Sequence, residues 1–447
     1  MTSSAVDPDL LPQSSRIAPD GQFSVAGCTI EDLAEEFGTP LFVYDEAEIR
    51  ARCREYLDAF GAGSVIYATK AFLCTALARI VDEEGLQLDV ATLGEMQVAL
   101  RAGVPAARLE LHGNNKSVEE LRLAVERGVG RVVVDSDDEL DRLDELVSGT
   151  GNAVRVLIRV TPGIDAHTHV YITTGADDSK FGFNVANGDA LRAAQRVAAT
   201  DGLELAGLHC HIGSQIFVLG AYEAAARVVA MLAAEVEAAT GIEIAELNIG
   251  GGLGIRYEST DDPPEIARYA QDLQEALRKA CADAGVKGEA RLLVEPGRSI
   301  VGPAGLTVYR VGTIKEIEGI RTYVSVDGGM SDNLRVALYG AHYEAFVPTR
   351  AAAERDRIVT VVGKHCESGD IVVRDAAVPA DLAVGDLLVT PNTGAYGYSM
   401  ASNYNKVTRP AVVFVADGKA RVVVRRESLE DLLRLDEDSE QPRTVGT

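Results

Sequence analysis

Eight short apolar runs, separated by helix-like segments, constrain this chain more than any other feature. They are Ser64-Val-Ile-Tyr-Ala-Thr-Lys70, Leu88-Asp-Val90, Leu109-Glu-Leu-His-Gly-Asn114, Val132-Val-Val-Asp135, Val156-Leu-Ile-Arg159, Gly207-Leu-His-Cys-His-Ile-Gly-Ser214, Leu247-Asn-Ile-Gly-Gly-Gly252 and Leu292-Leu-Val-Glu-Pro-Gly-Arg298. The intervening helices, such as 117–127, 137–146 and 221–239, carry apolar residues at three- and four-residue spacing. Ser117-Val-Glu-Glu120 opens one of them with a capping box. Eight strands alternating with helices predict a (β/α)8 barrel of the TIM type, whose functional groups gather at the carboxyl ends of the strands. Most of the runs end in a polar or glycine-rich group, as such a rim requires.

After Gly302 the pattern changes. Leu306–Tyr309, Thr322–Val326, Ile358–Val362, Ile371–Val373 and Leu387–Thr390 read as strands without barrel-length helices between most of them. Val412–Val424 reads as a hairpin with Asp417-Gly418 at its tip. A C-terminal β-sandwich or β-barrel domain follows, completed by N-terminal strands at 22–26 and 41–44 with a helix at 29–37 between them. The expected division is an N-terminal segment (1–44) contributing to the β domain, a barrel (45–303), the β domain (304–430) and a polar tail (431–447). Residues 1–20 and the acidic tail from Asp436 are expected to be loose.

A formal net charge of -25 over 447 residues argues against nucleic acid or an anionic membrane as partner, because both need a basic face. The longest apolar stretch, 221–239, is cut by Glu223, Arg227, Glu235 and Glu237, so no membrane span is expected. The N-terminus has neither a basic nor an apolar leader region. Six cysteines without any Cys-x-x-Cys fit reduced thiols in a cytoplasmic protein.

The strand ends supply the chemistry. Lys70 either snorkels from a strand end or serves as a Schiff-base amine, which must be partly desolvated to be nucleophilic. Gly250-Gly251-Gly252 is either a tight turn or an anion cradle. It follows the seventh strand, and Arg298 follows the eighth, where barrels commonly bind phosphate. The His209-x-His211 pair could join Asp89 and Glu295 around a metal. The competing reading has one imidazole stacking on a cofactor ring while Ser214 bonds its phosphate, and no metal is assigned. Glu295 ends a very apolar strand and needs a cation, either a protonated pyridine nitrogen or Arg298. In the second domain, Gly363–Asp370 places the Cys366 thiol beside Glu367, and Thr393–Ser399 flanks tyrosines with glycines. Together these groups suit pyridoxal phosphate chemistry.

The strings Tyr67-Ala-Thr-Lys-Ala71, His209-x-His-Ile-Gly-Ser-Gln215, Gly250-Gly-Gly252, Glu295-Pro-Gly-Arg298, Cys366-Glu-Ser-x-Asp370 and Gly394-Ala-Tyr396 together resemble the fold-type III, alanine-racemase-like pyridoxal phosphate decarboxylases. Further strings resemble the diaminopimelate decarboxylase branch of that family: His112-Gly-Asn-Asn-Lys116, His167-Thr-His169, Ser179-Lys-Phe-Gly182, Asp327-Gly-Gly-Met-Ser-Asp-Asn333 and Tyr398-Ser-Met400. The resemblance covers roughly residues 28 to 430, in the family's order and spacing.

The resemblance implies that Lys70 holds the aldehyde of pyridoxal 5'-phosphate and that His211 stacks on its ring. Ser214, the Gly250–Gly252 turn and Arg298 would serve the phosphate end, Glu295 the pyridine nitrogen, and Asp89 the neighbourhood of lysine and ring. Arg298, Arg335, Tyr339 and Glu367 would hold the far end of an amino acid substrate, with Tyr396 touching cofactor and substrate. Cys366 would deliver a proton. Cys366 and Glu367 would come from the second subunit of a homodimer with shared sites. The implied reaction is decarboxylation of meso-2,6-diaminoheptanedioate to L-lysine. Its distal carboxylate suits an arginine pair, and the adjacent ammonium suits Glu367. The alternatives are a related decarboxylase or racemase with another substrate, a non-catalytic homologue that binds the cofactor, and a metal hydrolase. Two departures stand out: Leu93, where the family usually has a small residue and where a tighter cofactor wall could result, and Val170 in place of a frequent glutamate.

Overall fold

The eight runs form one parallel sheet in sequence order: Ile66–Ala68, Gln87–Val90, Leu109–Leu111, Arg131–Val134, Val154–Thr161, Leu203–His209, Glu246–Asn248 and Arg291–Leu293. The structure is a computed structural model that describes residues 6–148, 153–164 and 178–437. Backbone bonds from Ile66 N–H to Val294 O (2.9 Å) and from Ala68 N–H to Pro296 O (3.0 Å) join the first strand to the eighth and close the barrel. His167, His169, Val170 and the end of the tail, 438–447, lie outside the described residues.

The barrel helices form where sequence chemistry starts and stops them. Ser117 and Glu120 make the expected reciprocal cap of the helix Val118–Arg127, and Gly128 ends it in the left-handed conformation. Asp45 caps Glu46–Phe60 by accepting from the Ala47 and Glu48 N–H groups. The long helix Gly220–Thr240 carries the stretch that looked most apolar, and it buries Val229, Leu232, Ala233 and Val236. No described helix is long and apolar enough to cross a membrane.

Inside the barrel, Ile66, Val133, Leu157, Ala206 and Leu293 form a small apolar plug. Beside it runs a buried polar chain. Arg131 grips Glu246 through two bonds of 2.6 and 2.7 Å, donates to Gln87 Oε1 at 2.5 Å, and lies 3.7 Å from Glu110. These charges are tolerable in the interior only because they are paired.

The second domain is built around one long strand, Gly305–Ile317. Its first half pairs with Leu41–Asp45 and Leu387–Thr390, and its second half with Arg321–Val326. The N-terminal strand Leu41–Asp45 also runs parallel to Ala411–Ala416, so it completes the β domain from within. The hairpin Ala411–Ala416/Lys419–Val424 turns at Asp417 and Gly418, both with positive φ (49° and 71°). One expectation fails at the N-terminus. Residues 6–15 are anchored rather than loose: Val6 and Leu10 are buried, and the Ser14 hydroxyl donates to Asp45 at 2.5 Å. Two apolar anchors spaced one helical turn apart outweigh the polar composition around them.

Removing one partner of the barrel's internal ion pair leaves buried carboxylates uncompensated. Arg131→Ala should therefore cost about 3–5 kcal/mol, read as a lower urea midpoint. An unchanged midpoint would show that the pair contributes nothing to stability.

Candidate active site

A cavity of about 550 Å³ opens at the carboxyl end of the barrel. Barrel residues Lys70, Asp89, His211, Ser214, Gly252, Glu295 and Arg298 line it, and the β domain adds Arg335, Tyr339 and Tyr396. Gly250 and Gly251 form the turn behind Gly252. Cys366 and Glu367 are not among the lining residues. They sit on an exposed loop, where Glu367 accepts a hydrogen bond from Tyr404. Leu93 does not line the cavity either. It opens the helix Leu93–Ala102, and its N–H donates to Glu120 at 2.8 Å. The expected effect on a cofactor wall is thereby corrected.

The strand bearing the lysine stops at Ala68, two residues earlier than the alternation predicts. Thr69 explains this. Its hydroxyl, not its backbone, satisfies the Asp89 carbonyl (2.6 Å), and residues Thr69–Ala71 close into a 3-10 turn. Tyr396 N–H bonds Ala71 O at 2.8 Å, fixing the turn from the β domain. Lys70 is thus placed by a rigid backbone but is itself exposed to the cavity. The desolvation expected of it is not supplied by the chain alone.

The glycine turn after the seventh strand has no room for side chains. A Cβ at Gly250 would lie 2.6 Å from Cys210 O, at Gly251 2.0 Å from Glu295 O, and at Gly252 2.4 Å from Gly213 O. Gly250 and Gly252 also have φ of +71° and +108°. Across from this turn, Arg298 donates to Ser214 Oγ at 2.9 Å and to the Tyr257 hydroxyl at 2.6 Å, and its guanidinium lies 4.8 Å from the Tyr396 ring. A backbone cradle, a hydroxyl and a cation meet on one side of the cavity, a donor set suited to a phosphate.

Glu295 is held differently from the expected alternative of an ion pair with Arg298. Its Oε1 lies 2.7 Å from Asn248 Nδ2, 3.0 Å from His209 Nε2 and 3.3 Å from His112 Nε2. Burial pushes the Glu295 carboxyl up, but the imidazoles of His209 and His112 outweigh it and hold it well below the usual carboxylate range. Burial pushes His209 down to about 4, so near neutral pH it is uncharged. Burial acts the same way on His112, yet Asp89, Glu295 and Glu110 together raise it to about 10. The charge beside Glu295 is therefore that of His112. His211 is driven well below its ordinary value by burial and by Lys70, so it offers the cavity a neutral ring.

The two histidines of the His-x-His pair meet different groups. His211 Nδ1 accepts from Gly251 N–H at 3.3 Å, while His209 turns into the barrel. His209, His112 and Glu295 have donor atoms within 4.8 Å of one another. A protonated His112, however, makes this an ion-paired cluster.

At the β-domain side, Arg335 is buried and bonds the Tyr343 hydroxyl, with its guanidinium 4.8 Å from the Tyr257 ring. Burial raises the Tyr257 hydroxyl, but the guanidiniums of Arg298 and Arg335 outweigh it and pull it below its ordinary value. Arg335 Nε has no hydrogen-bond partner, and neither guanidinium has a carboxylate partner among the described residues. Sequence reasoning assigned no role to Tyr257, Tyr343, His112, Asn248 or Glu110. Glu110 and His112 carried a signal nonetheless. Two residues apart on an otherwise apolar strand, they share its inward face.

Residues 46–302 match the family model described as the pyridoxal binding domain of pyridoxal-dependent decarboxylases. Barrel and rim thus define a pyridoxal-dependent decarboxylase architecture. The chain is 50% identical over 438 residues to the diaminopimelate decarboxylase of Mycobacterium tuberculosis, covering 96% of this chain and 98% of that one. It is 47% identical over 427 residues to that of Bacillus subtilis, covering 95% and 97%. Among solved structures, diaminopimelate decarboxylase of M. jannaschii in complex with L-lysine superposes with a TM-score of 0.86 at 33% identity, covering 95% of this chain and 98% of that one. The Helicobacter pylori enzyme complexed with L-lysine gives 0.82 at 34% identity, covering 91% and 98%. This chain belongs to the diaminopimelate decarboxylase family.

A methyl group at Gly252 would meet the Gly213 carbonyl and force the turn open. Gly252→Ala should weaken pyridoxal phosphate binding about ten-fold or more, roughly the loss of one good phosphate contact. Fluorescence titration of the apoprotein reads this directly, and unchanged affinity would remove the turn from the phosphate site.

Proposed function

We infer that the protein is a pyridoxal 5'-phosphate-dependent carboxy-lyase that converts meso-2,6-diaminoheptanedioate to L-lysine and CO2, the last step of L-lysine biosynthesis. The observation that carries the substrate assignment is the pair of buried guanidiniums, Arg298 and Arg335, without carboxylate partners among the described residues of the cavity. A substrate with a second carboxylate at its far end supplies what this pair lacks. Ornithine and lysine carry only an ammonium there. Incubation with meso-diaminopimelate should release CO2 and L-lysine, whereas ornithine, arginine and lysine controls should release no CO2. Equal turnover of ornithine would overturn the assignment.

The residues fit the cofactor. Lys70 presents its amine to the cavity for the aldehyde, and the Gly250–Gly252 turn, Ser214 and Arg298 receive the phosphate. His211 offers a neutral face to the ring, Glu295 an ionised carboxylate to the pyridine nitrogen, and Asp89 borders the lysine side. When bound, pyridoxal phosphate supplies the electron sink that takes up the pair left as the carbon–carboxylate bond breaks. Arg298, Arg335 and Tyr339 orient the distal carboxylate, and Tyr396 stands between the substrate and phosphate ends through its contact with Arg298.

Loss of CO2 must be followed by delivery of a proton to the carbon that lost it. Cys366 of the partner subunit is the donor, with Glu367 of the partner subunit beside the substrate's distal ammonium, in a homodimer with shared sites. The support is that both residues are exposed on a β-domain loop and do not line the cavity of their own chain. A cytoplasmic location agrees with six free cysteines.

Lys70→Ala removes the amine without removing core area. Activity should fall by several orders of magnitude while the thermal midpoint stays near that of the parent. Near-parental turnover with added pyridoxal phosphate would refute the role of Lys70. Mixing inactive Lys70→Ala and Cys366→Ala proteins should restore activity through heterodimers in which one site has both groups. With random exchange the recovery approaches about a quarter of the parental activity. No recovery despite demonstrated exchange would place Lys70 and Cys366 in the same chain's site.

A further inference from the structure

Three groups approach Glu295 at one of its oxygens. Asn248 Nδ2, His209 Nε2 and His112 Nε2 all converge on Oε1, at 2.7, 3.0 and 3.3 Å. Two of these three groups, His112 and Asn248, also reach a second buried carboxylate. His112 Nε2 lies 2.9 Å from Glu110 Oε1, and Asn248 Nδ2 lies 3.1 Å from it. Glu110 is fully buried on the inward face of the third strand and is not part of the cavity wall. Nothing in the chemistry at the rim calls for it. Yet without Glu110 the His112 ring would have no fixed partner on its own strand, and Glu295 would lose the anchor that sets its angle.

We propose that Glu110 and His112 are a positioning pair, fixing Glu295 in one orientation and keeping it an anion toward the pyridine nitrogen of the cofactor. The proposal rests on the assignment of Glu295 to that nitrogen. The groups facing His112 come from most of the barrel's strands. Glu110 is on its own strand, Asp89 Oδ1 is 3.9 Å away on the second strand, Glu295 follows the eighth, and the His209 ring centroid is 5.0 Å away on the sixth. Arg131, on the fourth strand, lies 3.7 Å from Glu110 Oε2, and Lys70 and Arg159 act on Asp89 from the rim. Three carboxylates thus surround one imidazole, and Arg131 and Glu246 balance the pair from below. Burial pushes Glu110 up to about 7, although His112 and Arg131 restrain it.

The sign of the effect follows from these charges. A cation beside Glu295 holds its carboxyl low, so weakening that cation raises the pH at which Glu295 takes up a proton. Protonated Glu295 can no longer hold the pyridine nitrogen charged, and the visible absorbance of the holoenzyme should report the change. Three variants separate the possibilities: His112→Gln, which keeps a neutral donor, Glu110→Gln, which keeps shape and the acceptor oxygen but not the charge, and Glu295→Gln.

In the parent the acid-side spectral transition should lie well below neutral pH. In His112→Gln and Glu110→Gln it should move up by about one unit or more, with kcat reduced about ten-fold or more and KM for diaminopimelate changed less than about two-fold. Glu295→Gln should abolish the transition. If Glu295→Gln leaves it unchanged, the assignment of Glu295 and the positioning pair fall together. If Glu295→Gln abolishes it while the other two variants leave it in place, only the pair falls. Failure of Glu110→Gln to fold would make Glu110 a structural group and would also overturn the proposal.

Discussion

A carboxylate at the inner mouth of a closed barrel cannot remain an anion without partners drawn from several strands. Glu295 meets that constraint through Asn248 on the seventh strand, His209 on the sixth and His112 after the third. His112 and Asn248 are in turn held by Glu110, and Glu110 lies close to Arg131. The barrel therefore carries a charge chain through part of its interior, from the Arg131–Glu246 pair to the cavity. Close packing alone would not hold such a chain. Each link is tolerable because the next one compensates it.

The same chain explains how the barrel and its rim act as one object. Asn248 donates to Glu295 and accepts from Gly250 N–H at 2.8 Å, so the carboxylate and the glycine turn share one amide. Glu295 and the glycine turn are set relative to each other by a single uncharged side chain. The β domain fixes the remaining wall. Tyr396 N–H bonds Ala71 O beside Lys70, and the Tyr44 hydroxyl bonds Gly394 O, so the tyrosine loop is tied to the lysine turn and to the N-terminal strand.

A chain of net charge -25 thus encloses a cavity lined by two buried guanidiniums, Arg298 and Arg335. The two facts do not conflict. Exposed carboxylates are screened by water and salt over about 8–10 Å, whereas Arg298 and Arg335 act across a few ångströms in a buried setting. The proposed recognition rests on those local charges, and the acidic surface mainly governs solubility.

Much of this was legible in the sequence. Strand and helix alternation, the switch to β structure after Gly302 and the glycine-bearing strand ends follow from local periodicity and backbone sterics, which adjacent residues determine. The resemblance singled out Lys70, His211, Ser214, Glu295 and Arg298, whose spacing to a turn or strand end is short, and all five line one cavity. What the sequence could not decide depends on contacts between distant segments. The stop of the lysine strand at Ala68 comes from Thr69 meeting the Asp89 carbonyl, and the anchoring of residues 6–15 from Val6 and Leu10 reaching buried positions. The divergence of His209 from His211 and the roles of Glu110, His112, Asn248 and Tyr257 appear only when the strands are side by side. Local order fixes which residues face inward. Only closure of the barrel decides which inward charges meet, because a buried ion is stabilised by its neighbours in space.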